Sequence, residues 1–242
     1  MTQSGDAAGS RPVGRRVFLG VVGLGALGIT FGARVQDFLE KVVAPVVGKD
    51  GTGLSSLFPI GRFRIYTVTG GYPQRSRERY RLTVTGLVDT PLSLDYAELS
   101  ALPPTRLVRD FQCVTGWRVS AVEWKGVLVR DLLDQAGVGP GARALRLTSF
   151  DGAYTESLTL EQARRDDVIV AYEMEGEPLS TEHGGPVRLY AAPMYGYKSL
   201  KWLSRIEVTD RVVPGFWEVR GYDVDAWVGR SNGRTDAPTD ST

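Results

Sequence analysis

The apolar residues between positions 81 and 174 change their spacing repeatedly, and this change limits the possible folds more than any other property of the chain. Residues 81–85 alternate polar and apolar side chains as a half-buried strand does. Helical spacing is kept by Val129, Leu132, Leu133 and Ala136, and Gly137 follows as a helix-ending residue. Further strands are predicted at residues 144–150 and 168–174, the second of them buried. Short strands and helices that alternate in this way predict a mixed α+β domain with long loops.

Two capping patterns mark where short helices begin. Asp95 stands three residues before Glu98, and Thr159 stands three residues before Gln162. The first helix must end before Pro103-Pro104, because proline cannot continue it.

The N-terminal stretch predicts export. Arg15-Arg16 precede an apolar run over residues 17–33 without a charged side chain, which is typical of a twin-arginine export signal. The run is shorter than the about 20 residues of a spanning helix, so a cleaved signal and an N-terminal membrane anchor both stay open. We expect a periplasmic or extracytoplasmic protein. The predicted organisation is a signal or anchor at 1–35, a connector at 36–57, a folded domain at 58–229 and a polar flexible tail at 230–242.

Composition excludes several classes of function. The chain has 29 basic and 28 acidic residues, so no net field favours nucleic acid. Cys113 is the one cysteine and His183 the one histidine, which excludes an intramolecular disulfide and a four-ligand zinc site of cysteine and histidine.

Two loop segments carry the chemistry expected of a phosphate site. Residues 183–188 read His-Gly-Gly-Pro-Val-Arg, and residues 195–202 read Tyr-Gly-Tyr-Lys-Ser-Leu-Lys-Trp. Arginine and lysine cations beside glycine-rich backbone are suited to bind phosphate oxygens.

Seven segments in order resemble the molybdopterin-dependent oxidoreductases of the sulfite oxidase fold. They are the loop with Cys113, Trp124-Lys125-Gly126-Val127, Phe150-Asp151-Gly152, Ala171-Tyr172-Glu173-Met174, residues 183–189, Lys201-Trp202 and Arg220-Gly221-Tyr222. The resemblance implies the molybdopterin-binding domain fold of that family and a molybdenum–molybdopterin cofactor.

The resemblance also implies roles for individual residues. Cys113 matches the cysteine whose thiolate binds molybdenum, as suits a soft sulfur ligand. Tyr222 matches an active-site tyrosine, so Cys113 and Tyr222 are the candidate catalytic residues. The candidate cofactor-binding residues are Tyr66, Thr67, Cys113, Asp151, His183, Arg188, Ser199, Leu200 and Lys201.

Departures from the family pattern bear on the substrate. Where sulfite oxidases carry arginines after the cysteine and an Arg-Asn-His run in the first loop, this chain has residues 114–117, Val-Thr-Gly-Trp, and residues 65–67, Ile-Tyr-Thr. Arg64 and Arg118 are the nearby cations, and the pocket is expected to be formed by Trp117, Tyr66 and Tyr195. A less charged, aromatic pocket favours reduction of a sulfoxide or N-oxide over oxidation of sulfite, as in the family's periplasmic methionine sulfoxide reductases.

Electrons must then be exchanged with a separate protein. A single histidine cannot supply both axial ligands of a bis-histidine haem, so we expect a haem-containing, membrane-bound partner. Two other classes stay open: an exported cysteine acyltransferase of the sortase type, which uses a cysteine, a histidine and an arginine, here with Cys113 and His183, and a binding domain without cofactor. In sortases, however, the histidine normally precedes the cysteine.

Overall fold

The computed structural model describes residues 63–239, and within that range the chain forms two sheets and short helices. The strands are Arg81–Gly86 (β1), Leu92–Asp95 (β2), Thr105–Gln112 (β3), Arg118–Leu128 (β4), Ala144–Ser149 (β5), Thr155–Thr159 (β6), Val168–Met174 (β7), Glu177–Pro178 (β8), Arg188–Ala191 (β9) and Leu203–Thr209 (β10). The α-helices are Tyr96–Ala101 (α1), Val129–Ala136 (α2) and Leu160–Ala163 (α3), and the 3-10 helices are Arg77–Arg79 and Glu218–Arg220. The mixed α+β prediction is confirmed.

The strands of the two sheets are interleaved along the chain. The first sheet has the order β2-β1-β10-β5-β6, and its β1–β10 pair is parallel although the two strands are far apart in sequence. The second has the order β3-β4-β7-β8, with β9 paired to β7. Strands β3 and β4 form a long hairpin whose last pair is Gln112 with Arg118, so residues 113–117 make the connecting loop.

The predicted helix boundaries hold because local hydrogen bonds fix them. Asp95 accepts from the backbone N–H of Glu98 at 2.8 Å, and the Glu98 carboxylate accepts from the Asp95 N–H at 2.8 Å. Thr159 and Gln162 make the equivalent pair at 3.1 and 2.9 Å. Gly137 ends α2 with φ +68°, where a side chain would be strained.

Strand β7 is buried on both faces, which explains its continuous apolar sequence. Val168, Val170 and Tyr172 pack into a cluster with β1, α2 and β10. Ile169 and Ala171 pack on the opposite face, in an aromatic cluster built on the β3–β4 hairpin. Strand β4 approaches β7 closely at Gly126, where a Cβ atom would lie 2.2 Å from the Val170 carbonyl oxygen.

The C-terminal segment extends the folded domain beyond the predicted end at Gly229. Thr239 is buried and donates to the Ala192 carbonyl at 2.7 Å, and Tyr195 donates to the Asp236 carboxylate at 2.7 Å. Arg118 binds the Ala237 carbonyl. The sequence predicted a flexible tail from residue 230 onward. The structure corrects this prediction for residues up to 239, because groups of this segment form hydrogen bonds with the rest of the domain.

The predicted signal or anchor, the connector and the first residues of the predicted domain lie outside the described residues. None of the helices within residues 63–239 has the length and apolar character needed to span a bilayer.

Candidate active site

The β3–β4 hairpin presents the thiol of Cys113 at its tip. The Cys113 N–H donates to the Trp117 carbonyl at 2.9 Å, and the Gly116 N–H donates back to the Cys113 carbonyl at 3.0 Å. Gly116 has φ +102°, which favours glycine at this turn. The Cys113 Sγ lies 3.2 Å from the Thr115 hydroxyl. The half-buried thiol opens on a cavity of about 410 Å³.

This cavity gathers nearly all the residues predicted for the site. Those lining it are Tyr66, Thr67, Cys113, Asp151, His183, Arg188, Ser199, Lys201 and Tyr222. They come from widely separated parts of the chain, and the fold brings them together. Gly196 allows its segment to lie close against the end of strand β3. Its N–H donates to the Gln112 carbonyl at 2.7 Å, and a Cβ there would lie 2.5 Å from the Phe111 ring.

Arg188 is a buried cation that has no carboxylate partner in the described chain. Only 4% of its surface is exposed, and burial lowers the pKa of its guanidinium to about 10. Its side chain donates to the backbone carbonyls of His183 at 2.8 Å and Ser199 at 2.7 Å. Since the group stays charged at neutral pH, the site retains a buried positive charge that an anionic ligand would neutralise.

Lys201 adds a second cation to the same cavity. Its ammonium donates to the carbonyls of Tyr66 at 2.6 Å and Glu182 at 3.2 Å. Burial, and next the charge of Arg188, lower its pKa to about 8. Gly184 lies against this lysine with φ +98°, and a Cβ there would come within 2.8 Å of the Lys201 side chain.

His183 lies half-buried at the cavity wall, with its ring 4.9 Å from that of Phe63. Burial lowers its pKa, and the nearby cations Arg188 and Lys201 lower it further. The imidazole is therefore neutral at pH 7, and it can donate or accept a hydrogen bond without adding a third positive charge.

Two buried oxygens in the cavity wall have no hydrogen-bond partner among the described residues, the Thr67 hydroxyl and Asp151 Oδ2. The other carboxylate oxygen of Asp151 accepts from the N–H groups of Ala153 at 2.9 Å and Tyr154 at 2.8 Å, which holds the side chain in place. Buried polar atoms without partners are rare in folded proteins. These oxygens, together with the unpaired cations, fit a ligand that has an anionic group and several hydrogen-bonding atoms.

Ser199 lines the cavity as expected, whereas Leu200 does not. The Ser199 hydroxyl accepts from the Ala191 N–H at 3.1 Å, so it holds strand β9 beside the cavity. Leu200 does not line the cavity: its side chain is in the apolar core, its N–H donates to the Lys198 carbonyl, and its carbonyl accepts from the Leu189 N–H. Its cofactor contact stays a prediction.

Tyr222 stands in an aromatic part of the wall. Its ring lies 5.2 Å from that of Trp217 and 5.4 Å from that of Tyr197. No hydrogen bond from its hydroxyl to another described residue is formed in the structure, which leaves that hydroxyl available to a ligand.

Two pocket residues expected from the sequence lie elsewhere. Tyr195 is fully buried behind the wall, where its hydroxyl is held by Asp236, and Tyr197 lines the cavity instead. Arg118 is turned to Gln112 at 2.6 Å and to Asp110 at 3.1 Å, whereas Arg64 does line the cavity. Sequence alone missed Tyr154 and Tyr197, since tyrosines in loops carry no signal that separates a cavity wall from the core.

The described part of the chain is similar to known oxidoreductases. The sequence model described as oxidoreductase molybdopterin binding domain matches residues 69–217. The uncharacterized oxidoreductase YuiH of Bacillus subtilis is 37% identical, over 66% of this chain and 81% of its own length. Sulfite oxidase of Arabidopsis thaliana is 31% identical, over 60% of this chain and 46% of its own. The protein-methionine-sulfoxide reductase catalytic subunit MsrP of Gluconobacter oxydans is 28% identical, over 66% and 56%.

Among solved structures, the sulfane dehydrogenase SoxCD of Paracoccus pantotrophus has a TM-score of 0.56 at 25% identity, covering 74% of this chain and 52% of that one. The chain thus spans most of YuiH but only about half of the sulfite oxidase, of MsrP and of the SoxCD chain. The family match covers more than half of the chain, in the region that builds the cavity. The chain therefore belongs to the family of oxidoreductases with a molybdopterin-binding domain and has the sulfite oxidase-type fold.

Proposed function

We propose that this oxidoreductase holds molybdopterin in the cavity with molybdenum at Cys113, and that it reduces a small neutral sulfoxide or N-oxide. One observation carries the proposal: a thiol and a buried cation without a carboxylate partner open on the same cavity. Family membership leaves the sortase-type and cofactor-free alternatives without support.

The residues of the cavity suit the parts of the cofactor. Arg188, Lys201 and His183 would hold the phosphate, since cations and a neutral N–H donor stabilise buried phosphate oxygens. Thr67 and Asp151 would bind the pterin through the oxygens that lack partners. Cys113 would supply the soft thiolate ligand. When bound, the cofactor supplies a metal centre that exchanges an oxygen atom and two electrons.

The character of the wall supports a neutral substrate. Its aromatic side chains include Trp117, Tyr154, Tyr197, Trp217 and Tyr222. With Arg188 and Lys201 assigned to phosphate, Arg64 is the remaining arginine in the cavity lining, which also contains the carboxyl group of Glu182. Such a surface gives sulfite, a dianion, little to bind, whereas a sulfoxide can pack its alkyl groups on the rings.

Tyr222 would orient the substrate oxygen or donate a proton to it, because its hydroxyl has no competing partner in the described protein. Reduction of a sulfoxide breaks the sulfur–oxygen bond, consumes two electrons and two protons, and releases water. We propose that the electrons come from a separate haem-containing membrane protein. Export by the twin-arginine route would place this enzyme outside the cytoplasm.

The test is purification from a host that makes the cofactor, followed by molybdenum analysis. The protein should contain molybdenum and absorb visible light. It should reduce dimethyl sulfoxide, methionine sulfoxide or trimethylamine N-oxide with reduced viologen dye as electron donor. Turnover of sulfite with ferricyanide, without any sulfoxide or N-oxide reduction, would contradict the substrate assignment, and a metal-free protein would contradict the whole proposal.

A further inference from the structure

A buried cluster of charges lies directly behind the cavity wall. We call Glu156, Lys198 and Glu218 the buried triad, since all three side chains are shielded from solvent. The Lys198 ammonium lies 3.2 Å from Glu156 Oε2, pairs with Glu218 Oε1, and donates to the Ser157 carbonyl at 2.7 Å. Each member neighbours the cavity along the chain: Lys198 follows Tyr197, Glu218 follows Trp217, and Glu156 lies two residues after Tyr154.

The triad has one cation for two carboxylates. With all three groups ionised, a net negative charge would be buried, and a single shared proton makes the cluster neutral. Glu218 is the better-held carboxylate, because Lys198 pairs with one oxygen and the Gly215 N–H donates to the other at 2.6 Å. Contacts to Glu156 are longer, 3.2 Å to Lys198 and 3.3 Å to the Ser157 N–H. The proton therefore belongs on Glu156.

The electrostatics of the surrounding groups agree with this geometry. Burial raises the pKa of Glu156, and the opposing effect of Lys198 is smaller. Tyr154, Tyr197 and Asp225 are the other titratable groups whose charges act on the triad, and each would be negative when ionised. Burial raises the pKa of both tyrosines above its ordinary value, so they stay neutral, and Asp225 adds negative charge that favours retention of the proton.

Tyr154 connects the triad with the cavity. Its hydroxyl lies 3.2 Å from Glu156 Oε1 and 2.7 Å from the Tyr197 carbonyl. Tyr154 and Tyr197 both line the cavity. The Tyr154 ring is held in place by stacking on Phe216 at 5.5 Å. A hydroxyl in this position can donate one proton and accept another.

We propose that Glu156 stores a proton for the reaction in the cavity and delivers it through the hydroxyl of Tyr154. This inference rests on the proposed reduction of a sulfoxide or N-oxide, whose electrons come from the donor protein. Tyr154 gives its hydroxyl proton to the departing oxygen and takes the proton of Glu156, which becomes a carboxylate paired with Lys198. The second proton of the product water comes from solvent, directly or through the hydroxyl of Tyr222. Glu156 is recharged along the same path once water has left the cavity.

The stored proton can be observed in protein without cofactor. Infrared spectra of the parent at neutral pH should contain the carbonyl stretch of a protonated carboxyl group, and Glu156→Gln should remove that band. The glutamine keeps the shape of the side chain and leaves Lys198 paired with Glu218, so the variant should fold, as its unfolding midpoint will show. A difference spectrum without this band, in a folded variant, would overturn the proposal.

Turnover of the holoenzyme tests delivery of the proton. Glu156→Gln and Tyr154→Phe should each lower kcat by about tenfold or more, with KM little changed. Both should flatten the basic limb of the pH profile, and the double variant should be no slower than either single one because one path is lost. Tyr80→Phe is the matched control: it removes a buried hydroxyl that donates to the Leu203 carbonyl at 2.7 Å, away from the cavity.

Parent-like kcat and pH profile in Glu156→Gln would overturn proton delivery. A holoenzyme that reduces no sulfoxide or N-oxide would instead contradict the proposed function, while the infrared band of the cofactor-free protein would still report the proton on Glu156. The two failures are therefore distinguishable.

Discussion

Arg188 and Lys201 line one cavity, where backbone carbonyls are their hydrogen-bond acceptors, and burial and then the charge of Arg188 lower the pKa of Lys201. Carbonyl dipoles satisfy the N–H donors of both side chains but do not neutralise their charge, and the charges of Asp151 and Glu182 offset only part of that of Lys201. A carboxylate in direct contact with either cation would have neutralised it. Its absence from the ion pairs of residues 63–239 leaves the charge for an anionic ligand, and this fits the family to which the chain belongs.

Arg188→Lys should weaken retention of the cofactor although the charge is kept. The guanidinium bridges the carbonyls of His183 and Ser199, and a lysine ammonium cannot reproduce that fork. Loss of a charge-assisted contact should lower the affinity for the cofactor by about 10- to 100-fold. The measurement is the amount of molybdenum and pterin bound per protein after identical purification of parent and variant. Arg164→Lys, in an exposed pair with Asp134, is the control, and equal cofactor content in the two variants would contradict the assignment.

The lowered pKa of Lys201 makes stability of the cofactor-free protein depend on pH. Between about pH 8 and the unperturbed value of 10.5, the unfolded chain binds a proton at this lysine that the folded protein does not. Stability should therefore rise with pH over that window, and Lys201→Met should make the rise smaller. Burial also lowers the pKa of Lys198, so part of the rise should remain in that variant. Urea unfolding midpoints across the window measure it.

Lys125→Met is the control for this pH effect. A hydrogen bond from Lys125 to Glu173 raises the pKa of that lysine, so its removal should leave the rise between pH 8 and 10.5 in place. A flat profile in the parent would show that Lys201 is not desolvated as the structure has it.

Local patterns predicted those elements whose determinants are close in sequence. The Asp95 and Thr159 capping boxes and the spacing in α2 each lie within about two helical turns, and all are confirmed. The β3–β4 hairpin was missed, because a register shift near Arg109 and Phe111 interrupts the alternation of its strands.

The candidate site was predictable where a residue type is rare and unpredictable where it is common. Cys113 and His183 are single in the chain, and the structure places both at one cavity. Glu156, Lys198 and Glu218 read as ordinary surface charges, since their burial arises from contacts between segments far apart in sequence. Propensity and periodicity contain no information on such contacts.

Cys113→Ser should remove the protein's ligand to molybdenum and leave the fold intact. Backbone hydrogen bonds between Cys113, Gly116 and Trp117 hold the hairpin turn without the thiol, so the unfolding free energy should change by less than about 1 kcal/mol. Sulfur-to-metal absorption and turnover should both be lost, since a hydroxyl is a harder and poorly ionised ligand. Retention of the parent spectrum, metal content and activity would make Cys113 a small structural residue.

Tyr222→Phe should separate chemistry from binding. The hydroxyl makes no hydrogen bond within the described protein, and the ring keeps its contacts with Trp217 and Tyr197, so cofactor content and stability should match the parent. If the hydroxyl donates to the substrate oxygen, kcat should fall by about 10²- to 10⁴-fold, as for other general acids. Tyr172→Phe also removes a hydroxyl without a partner, but outside the cavity, and should leave kcat unchanged. Equal kcat at saturating sulfoxide in both variants would reduce Tyr222 to a packing residue of the aromatic wall.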